Sequence, residues 1–79
     1  MSARVLFFGA TANIANKREV SVAVENELTA AGVLKTIISQ NPGLASHKLH
    51  VSLNQQYAEG DELVLDGDEL AIFTAVSGG

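Results

Sequence analysis

The sequence predicts an α+β domain: a mixed sheet of about five strands packed on one helix. Three observations predict it. Apolar and polar residues alternate in separated stretches, as half-buried strands require, and one stretch between them shifts to helical spacing. The chain has 79 residues, which gives room for one domain and one modest core.

Arg4 to Phe8 is rich in β-formers and reads as the first strand. Glu19 to Val24 alternates strictly, with Val20, Val22 and Val24 on one side and Glu19, Ser21 and Ala23 on the other, and reads as the second. The intervening Gly9 to Lys17 is polar and predicts a loop joining two antiparallel strands. From Thr29 onward, Ala30, Leu34, Ile37 and Ile38 recur at helical spacing, with Thr29 as N-cap and Asn41-Pro42-Gly43 as the stop. Gly32 inside that helix costs on the order of 1 kcal/mol against alanine, so packing of the Leu34/Ile37/Ile38 stripe must hold it. Leu49, Val51 and Leu53 alternate again, Asn54-Gln55 suggests a turn, and Asp66-Gly67-Asp68 is a tight-turn signal before a last strand over Glu69 to Thr74. The order is strand, strand, helix, strand, short strand, strand. In a chain this short it fits a β-grasp, with the first and last strands adjacent and parallel in the middle. The domain is expected over residues 1–75 and a flexible tail over 76–79.

Composition narrows the function. The apolar share is 47% and the charged share 18%, a globular balance, and no apolar run approaches the roughly 18 residues that a bilayer requires. Met1-Ser2-Ala3-Arg4 opens directly into Val5-Leu6-Phe7-Phe8 with no secretory signal, so a cytoplasmic address is expected and no membrane association. There is no cysteine, hence no disulfide, thiolate metal site or thiol nucleophile. The net charge is −4, and after Lys48 there is no Lys or Arg while Glu59, Asp61, Glu62, Asp66, Asp68 and Glu69 crowd together. Such a stretch repels nucleic acid and attracts a basic protein surface. Solvated turns that keep a small domain soluble would give the same pattern.

The usual catalytic patterns are absent. His47 and His50 have no third ligand in a zinc-fitting pattern, so no metal is expected. Asp66, Asp68 and Glu69 begin like a calcium loop, but Leu70 occupies the next ligand position. No serine carries the glycines of a nucleophile elbow, and no phosphate-cradling loop precedes the helix. There remains Val76-Ser77-Gly78-Gly79, where two glycines have no loop to close and no helix to cap. Without a Cβ, such an end can thread a narrow channel and present the Gly79 carboxylate to chemistry that a bulkier tail could not reach.

Leu6-Phe7-Phe8, Ser52-Leu53-Asn54-Gln55-Gln56-Tyr57, and Asp66-Gly67-Asp68-Glu69-Leu70-Ala71-Ile72-Phe73 running into Val76-Ser77-Gly78-Gly79 closely resemble the molybdopterin synthase small subunits. The resemblance spans nearly the whole chain; the wider group holds thiamin-pathway sulfur carriers and other ubiquitin-like proteins. It implies a ubiquitin-like β-grasp that is not catalytic alone. An ATP-using activating enzyme would adenylate the Gly79 carboxylate, and a sulfur donor would displace AMP to leave a thiocarboxylate. The chain itself would bind no cofactor. Gly78, Ser77 and Val76 would thread into a large subunit supplying pocket and lysine. Two small and two large subunits together would place two sulfurs on cyclic pyranopterin monophosphate, making the dithiolene of molybdopterin in molybdenum cofactor biosynthesis. Where that branch usually carries two prolines, this chain has Thr74 and Ala75; where it commonly has an Arg-Glu pair, Thr11-Ala12-Asn13 stands.

Alternation places Phe73 opposite to Leu70 and Ile72, on the outer face near the tail, unless it completes a minor cluster with Phe7. The candidate partner-binding set is Phe73, Phe7, Tyr57, Asp66 and Asp68. Thiamin-type sulfur carriage and a ubiquitin-like protein modifier are the alternatives. A plain acidic binding module with an idle tail is the alternative of another class.

Overall fold

A computed structural model describes residues 1–25 and 27–74 of the chain. Its elements are β1 Ser2–Phe7, α1 Ala10–Ala15, β2 Glu19–Ala23, α2 Ala30–Gln40, a 3-10 helix Pro42–Ser46, β3 Leu49–Leu53, β4 Gln56–Tyr57 and β5 Glu69–Thr74. The sheet order is β2-β1-β5-β3-β4. β1 and β5 run parallel at its centre, pairing Arg4 with Glu69 and Phe7 with Ile72, while the remaining pairs are antiparallel. This is the β-grasp arrangement that the element order implied.

Side-chain alternation divides the sheet into two faces. Ala3, Val5 and Phe7 of β1, Val51 of β3, and Leu70 and Ile72 of β5 are buried with Ala30, Val33 and Ile37 of α2. The helix stripe expected from Leu34, Ile37 and Ile38 is therefore rotated. Val33 and Ile37 are fully buried, whereas Leu34 and Ile38 pack at the margin. Burying an Ile or Leu completely contributes about 1.5–3 kcal/mol, so Ile37, Leu44, Leu70 and Ile72 dominate this small core. Thr29 is the N-cap, its hydroxyl accepting from Gly32 N–H at 3.1 Å. Gly32 has a packing reason: a Cβ there would lie 3.2 Å from Leu28 Cδ1 and 3.4 Å from the capping Thr29 Oγ1.

The expected loop between β1 and β2 is instead a short helix, α1. It opens on Gly9 and closes on Asn16, which takes a left-handed conformation and returns its N–H to Ala12 O. Thr11 and Ala15, four apart, are buried beneath it. The polar look of the segment hid this, because the buried polar residue Thr11 is satisfied internally: its hydroxyl lies 2.6 Å from Phe8 O and 3.0 Å from Ile72 O.

The turns are stitched together by side chains. Asn54 and Gln55 both have positive φ, 49° and 71°, the geometry of a two-residue hairpin joining β3 to β4. Asn54 then staples that turn to β5, its Oδ1 accepting from Glu69 N–H and its Nδ2 donating to Asp68 Oδ1, both at 3.0 Å. At the other tight turn, Gly67 has φ 86°, which glycine adopts without strain. Among the described residues no helix is long and apolar enough to cross a membrane.

Candidate functional site at the end of the last strand

β5 ends at Thr74. Val76, Ser77, Gly78 and Gly79, read from the sequence as the reactive tail, lie outside the described residues. The surface around Thr74 is defined. Outward positions bring Phe73 of β5 opposite His50 of β3, one register step from Ala71 opposite Ser52 and Ser52 opposite Tyr57. The Phe73 and His50 rings stack with centroids 5.8 Å apart and planes 26° apart. Tyr57 meets Phe73 edge-on at 5.8 Å and His50 edge-on at 6.2 Å. Tyr57 is 75% exposed, so the aromatic platform opens to solvent, and Phe8, the residue after β1, is exposed as well.

Phe73 thus sits on the outer face, as alternation required, but it is not alone. Its companions are His50 and Tyr57 and not Phe7, which is 4% exposed and belongs to the core on the helix side. Phe7 therefore offers no surface to a partner. His50 was missed because it was weighed as a metal ligand. Counting outward positions along Leu49–Leu53 would have found it, since His50 and Ser52 alternate with buried Val51.

Asp66 and Asp68 are placed away from the platform. They precede β5, so the strand's length of about 3.3 Å per residue separates them from Thr74. Both carboxylates hold backbone: Asp66 Oδ1 accepts from Ser2 N–H at 2.8 Å, and Asp68 Oδ2 accepts from Leu65 N–H at 2.8 Å. The Leu65 N–H and the Asn54 amide hold the Asp68 carboxyl below its ordinary range. Glu62 is lowered likewise by the N–H groups of Glu59 and Gly60, at 2.7 and 2.8 Å. These acids close turns, which is a sufficient reason for their presence.

Cationic side chains flank the elements that meet Thr74: Lys17 and Arg18 precede β2, with Arg18 O accepting from Phe7 N–H at 2.9 Å, and Lys48 leads into Leu49, which pairs with Thr74. Arg4, nearer the opposite end, bridges Glu19 at 2.9 Å and Glu69 at 3.5 Å across the outer face. No group of three or more His, Asp or Glu able to hold a metal occurs among the described residues. Nor does any described nucleophile stand beside a base in the geometry of covalent catalysis. The site is a surface that presents a strand end.

Comparison with known proteins decides the family. Residues 5–79 match the ThiS family, nearly the entire chain. The chain belongs to the ThiS family. A curated relative, the molybdopterin synthase sulfur carrier subunit of Homo sapiens, is 35% identical over 80 residues, covering 95% of this chain and 91% of its own. Small archaeal modifier protein 1 of Haloferax volcanii is 32% identical, covering 91% of this chain and 94% of its own. Its crystal structure superposes with TM-score 0.87 over 100% of both chains. A complex of subunits 1 and 2 of the molybdopterin-converting factor from Helicobacter pylori shares the fold, with TM-score 0.70, 23% identity and full coverage of both chains. This ThiS-family protein is accordingly a ubiquitin-like β-grasp of the sulfur-carrier type, with molybdopterin synthase small subunits among its homologues.

Proposed function

We propose that this protein is the sulfur-donating small subunit of a molybdopterin synthase, and that the carboxylate of Gly79 is its reacting group. The observation that carries the reading is the family match through Gly78-Gly79 in a chain whose central strand ends beside an exposed aromatic platform.

The chemistry follows from the carboxylate. Hydroxide or oxide is a poor leaving group, so sulfur cannot displace it directly. In the activating enzyme a Gly79 carboxylate oxygen attacks the α-phosphorus of ATP, forming an acyl adenylate and releasing pyrophosphate. Hydrosulfide released by a sulfur donor then attacks the acyl carbon, the C–O bond breaks, AMP leaves with the electron pair, and loss of the S–H proton leaves the thiocarboxylate. The thiocarboxylate is a soft nucleophile and needs no cysteine, which agrees with a chain that has none. The partner that binds the tail supplies the pocket and catalytic groups. This chain supplies the docking face, Phe73, His50, Tyr57 and Phe8, around the emerging strand. The same face serves the large subunit and the activating enzyme in turn, because each must grip the tail at its root.

Reconstitution tests the reading. The thiocarboxylated chain, mixed with a molybdopterin synthase large subunit and cyclic pyranopterin monophosphate, should yield a dithiolene at two small subunits consumed per product. Sulfur transfer into a thiazole precursor instead would assign it to the thiamin branch.

The kinship with small archaeal modifier protein 1 favours a second reading, in which the activated Gly79 is attacked by a lysine amine to give an isopeptide. The two readings share the adenylate and diverge at the attacking atom. Lysine-linked adducts in cells would support conjugation.

A further inference from the structure

The end of the sheet away from Thr74 carries a surface that tail chemistry leaves unused. Met1, Leu63 and Leu65 are 87%, 53% and 62% exposed. With Val24 and Val64 they line an open concavity of about 630 Å³, together with Glu25 and Glu27. Backbone bonds hold its floor: Val24 N–H donates to Met1 O at 3.1 Å, Val64 N–H donates to Leu28 O at 2.8 Å, and Leu63 bridges Thr29. Val64 is 2% exposed, so alternation turns Leu63 and Leu65 outward together. Large apolar side chains gathered in one polar-rimmed patch, unlike apolar residues scattered singly, mark interaction sites.

Apart from the N-terminal amine of Met1, the charged groups described on the rim are of one sign. Glu25 and Glu27 line one side, and Asp66 lies beside Met1 through its bond to Ser2 N–H at 2.8 Å. Among the described residues no Lys or Arg lines the concavity. The cation closest to Met1 in sequence, Arg4, is committed to Glu19 and Glu69.

We infer that this concavity docks a basic amphipathic segment of a partner protein, with leucine-class side chains over Met1, Leu63 and Leu65 and Lys or Arg facing Glu25, Glu27 and Asp66. Charge complementarity selects that occupant. A second copy would bring the same acids into register, and an anionic lipid surface would repel them. β5 has six residues, so roughly 20 Å separate the concavity from Thr74 at about 3.3 Å per residue. One partner can therefore occupy it while another holds the tail.

The test is a titration of the ¹⁵N-labelled chain with a synthetic helical peptide, leucine along one face and lysine elsewhere, against a scrambled peptide of equal composition. The expected result is amide shifts centred on Glu25, Glu27 and Leu63 to Leu65, with the scrambled peptide much weaker. Affinity should fall roughly tenfold in Leu63→Ser/Leu65→Ser and again in Glu25→Lys/Glu27→Lys, as loss of anchoring contacts produces. The charge-reversal pair keeps the test valid should the serine variant melt early. A chain lacking residues 76–79 should bind the peptide unchanged, so this result stands apart from the fate of Gly79. Equal affinity for the scrambled peptide, shifts spread over every acidic residue, or shifts centred on Phe73 and Tyr57 would overturn the inference. So would dimerisation through Leu63 and Leu65 without peptide binding, or partition of the chain onto phosphatidylcholine–phosphatidylserine vesicles.

Discussion

The hydroxyl of Thr11 in α1 reaches the carbonyl oxygen of Ile72 in β5 at 3.0 Å, although 61 residues separate them. The same carbonyl accepts from Phe8 N–H at 3.0 Å, so the end of the last strand is fixed from β1 and α1 together. Thr11→Val keeps the shape and removes the donor. Both carbonyls retain a backbone partner, so the loss should be about 0.5–1.5 kcal/mol, as for one net hydrogen bond. A fall of about 4–8 °C in melting temperature per kcal/mol is expected for a domain this small. An unchanged melt would show that α1 does not hold β5 through this bond.

The cap of α2 gives a second stability test. Thr29→Ala removes the acceptor for Gly32 N–H and should cost about 1 kcal/mol, whereas Thr29→Asn or Thr29→Asp should restore most of it. If alanine and asparagine melt alike, the cap contributes nothing and the helix is held by Val33 and Ile37 alone.

How much was legible in the sequence depended on which signals were periodic. Val20, Val22, Leu49, Val51 and Leu53 announced their strands because each alternates against polar neighbours, and Thr29 and Asn41-Pro42 bracketed α2 by their own chemistry. α1 escaped because six residues carry under two helical turns of pattern. Its buried side chains, Thr11 and Ala15, are one polar and one small. Phe73 was placed correctly on the outer face, while its partners His50 and Tyr57 depended on register, which alternation within one strand cannot supply. Asp66 and Asp68 were grouped with Phe73 by their acidity, yet they stand before β5, toward the end of the strand away from Thr74, with their carboxylates accepting backbone N–H groups within the fold.

The aromatic platform makes the binding prediction. Phe73→Ala should weaken binding to the large subunit and to the activating enzyme by at least about 2 kcal/mol, the cost of truncating an anchoring aromatic, with a smaller effect on melting. Calorimetry on Phe73→Ala, His50→Ala and the double variant should show coupling between the two rings. Normal affinity with a sharply lowered melting temperature would make the platform a structural cluster.

Acid should destabilise the fold through three carboxyls. Glu19 is lowered by its bond to the Arg4 guanidinium, Glu62 by the N–H groups of Glu59 and Gly60, and Asp68 by Leu65 N–H and Asn54. Each binds protons less readily folded than unfolded. Their contribution is therefore fully present above the ordinary carboxylate range near pH 4, and is lost as pH falls through the lower folded values. Urea midpoints measured downward from pH 6 should decline in that window, and Glu62→Gln or Asp68→Asn should flatten the decline. A midpoint independent of pH would show that these bonds persist with the acids protonated.

The charge surrounding Thr74 predicts the kinetics of docking. Reversing Arg18 or Lys48 to Glu should slow association with the large subunit and reduce its salt dependence, while Asp66→Asn should leave the association rate unchanged. If Asp66→Asn slows association and the cation reversals do not, the partner meets the acidic end first.

The proposed sulfur loading of Gly79 is tested most directly by the intact mass of the chain after incubation with a candidate activating enzyme, ATP and a sulfur source. One oxygen should be replaced by one sulfur, and fragmentation should place that sulfur on Gly79. A chain lacking Gly79, or carrying a tag after it, should stay unchanged while folding normally. An unaltered mass with every cognate activating enzyme, or a tagged and uncleaved chain that still supports dithiolene synthesis, would contradict the assignment of Gly79 as the sulfur-bearing residue.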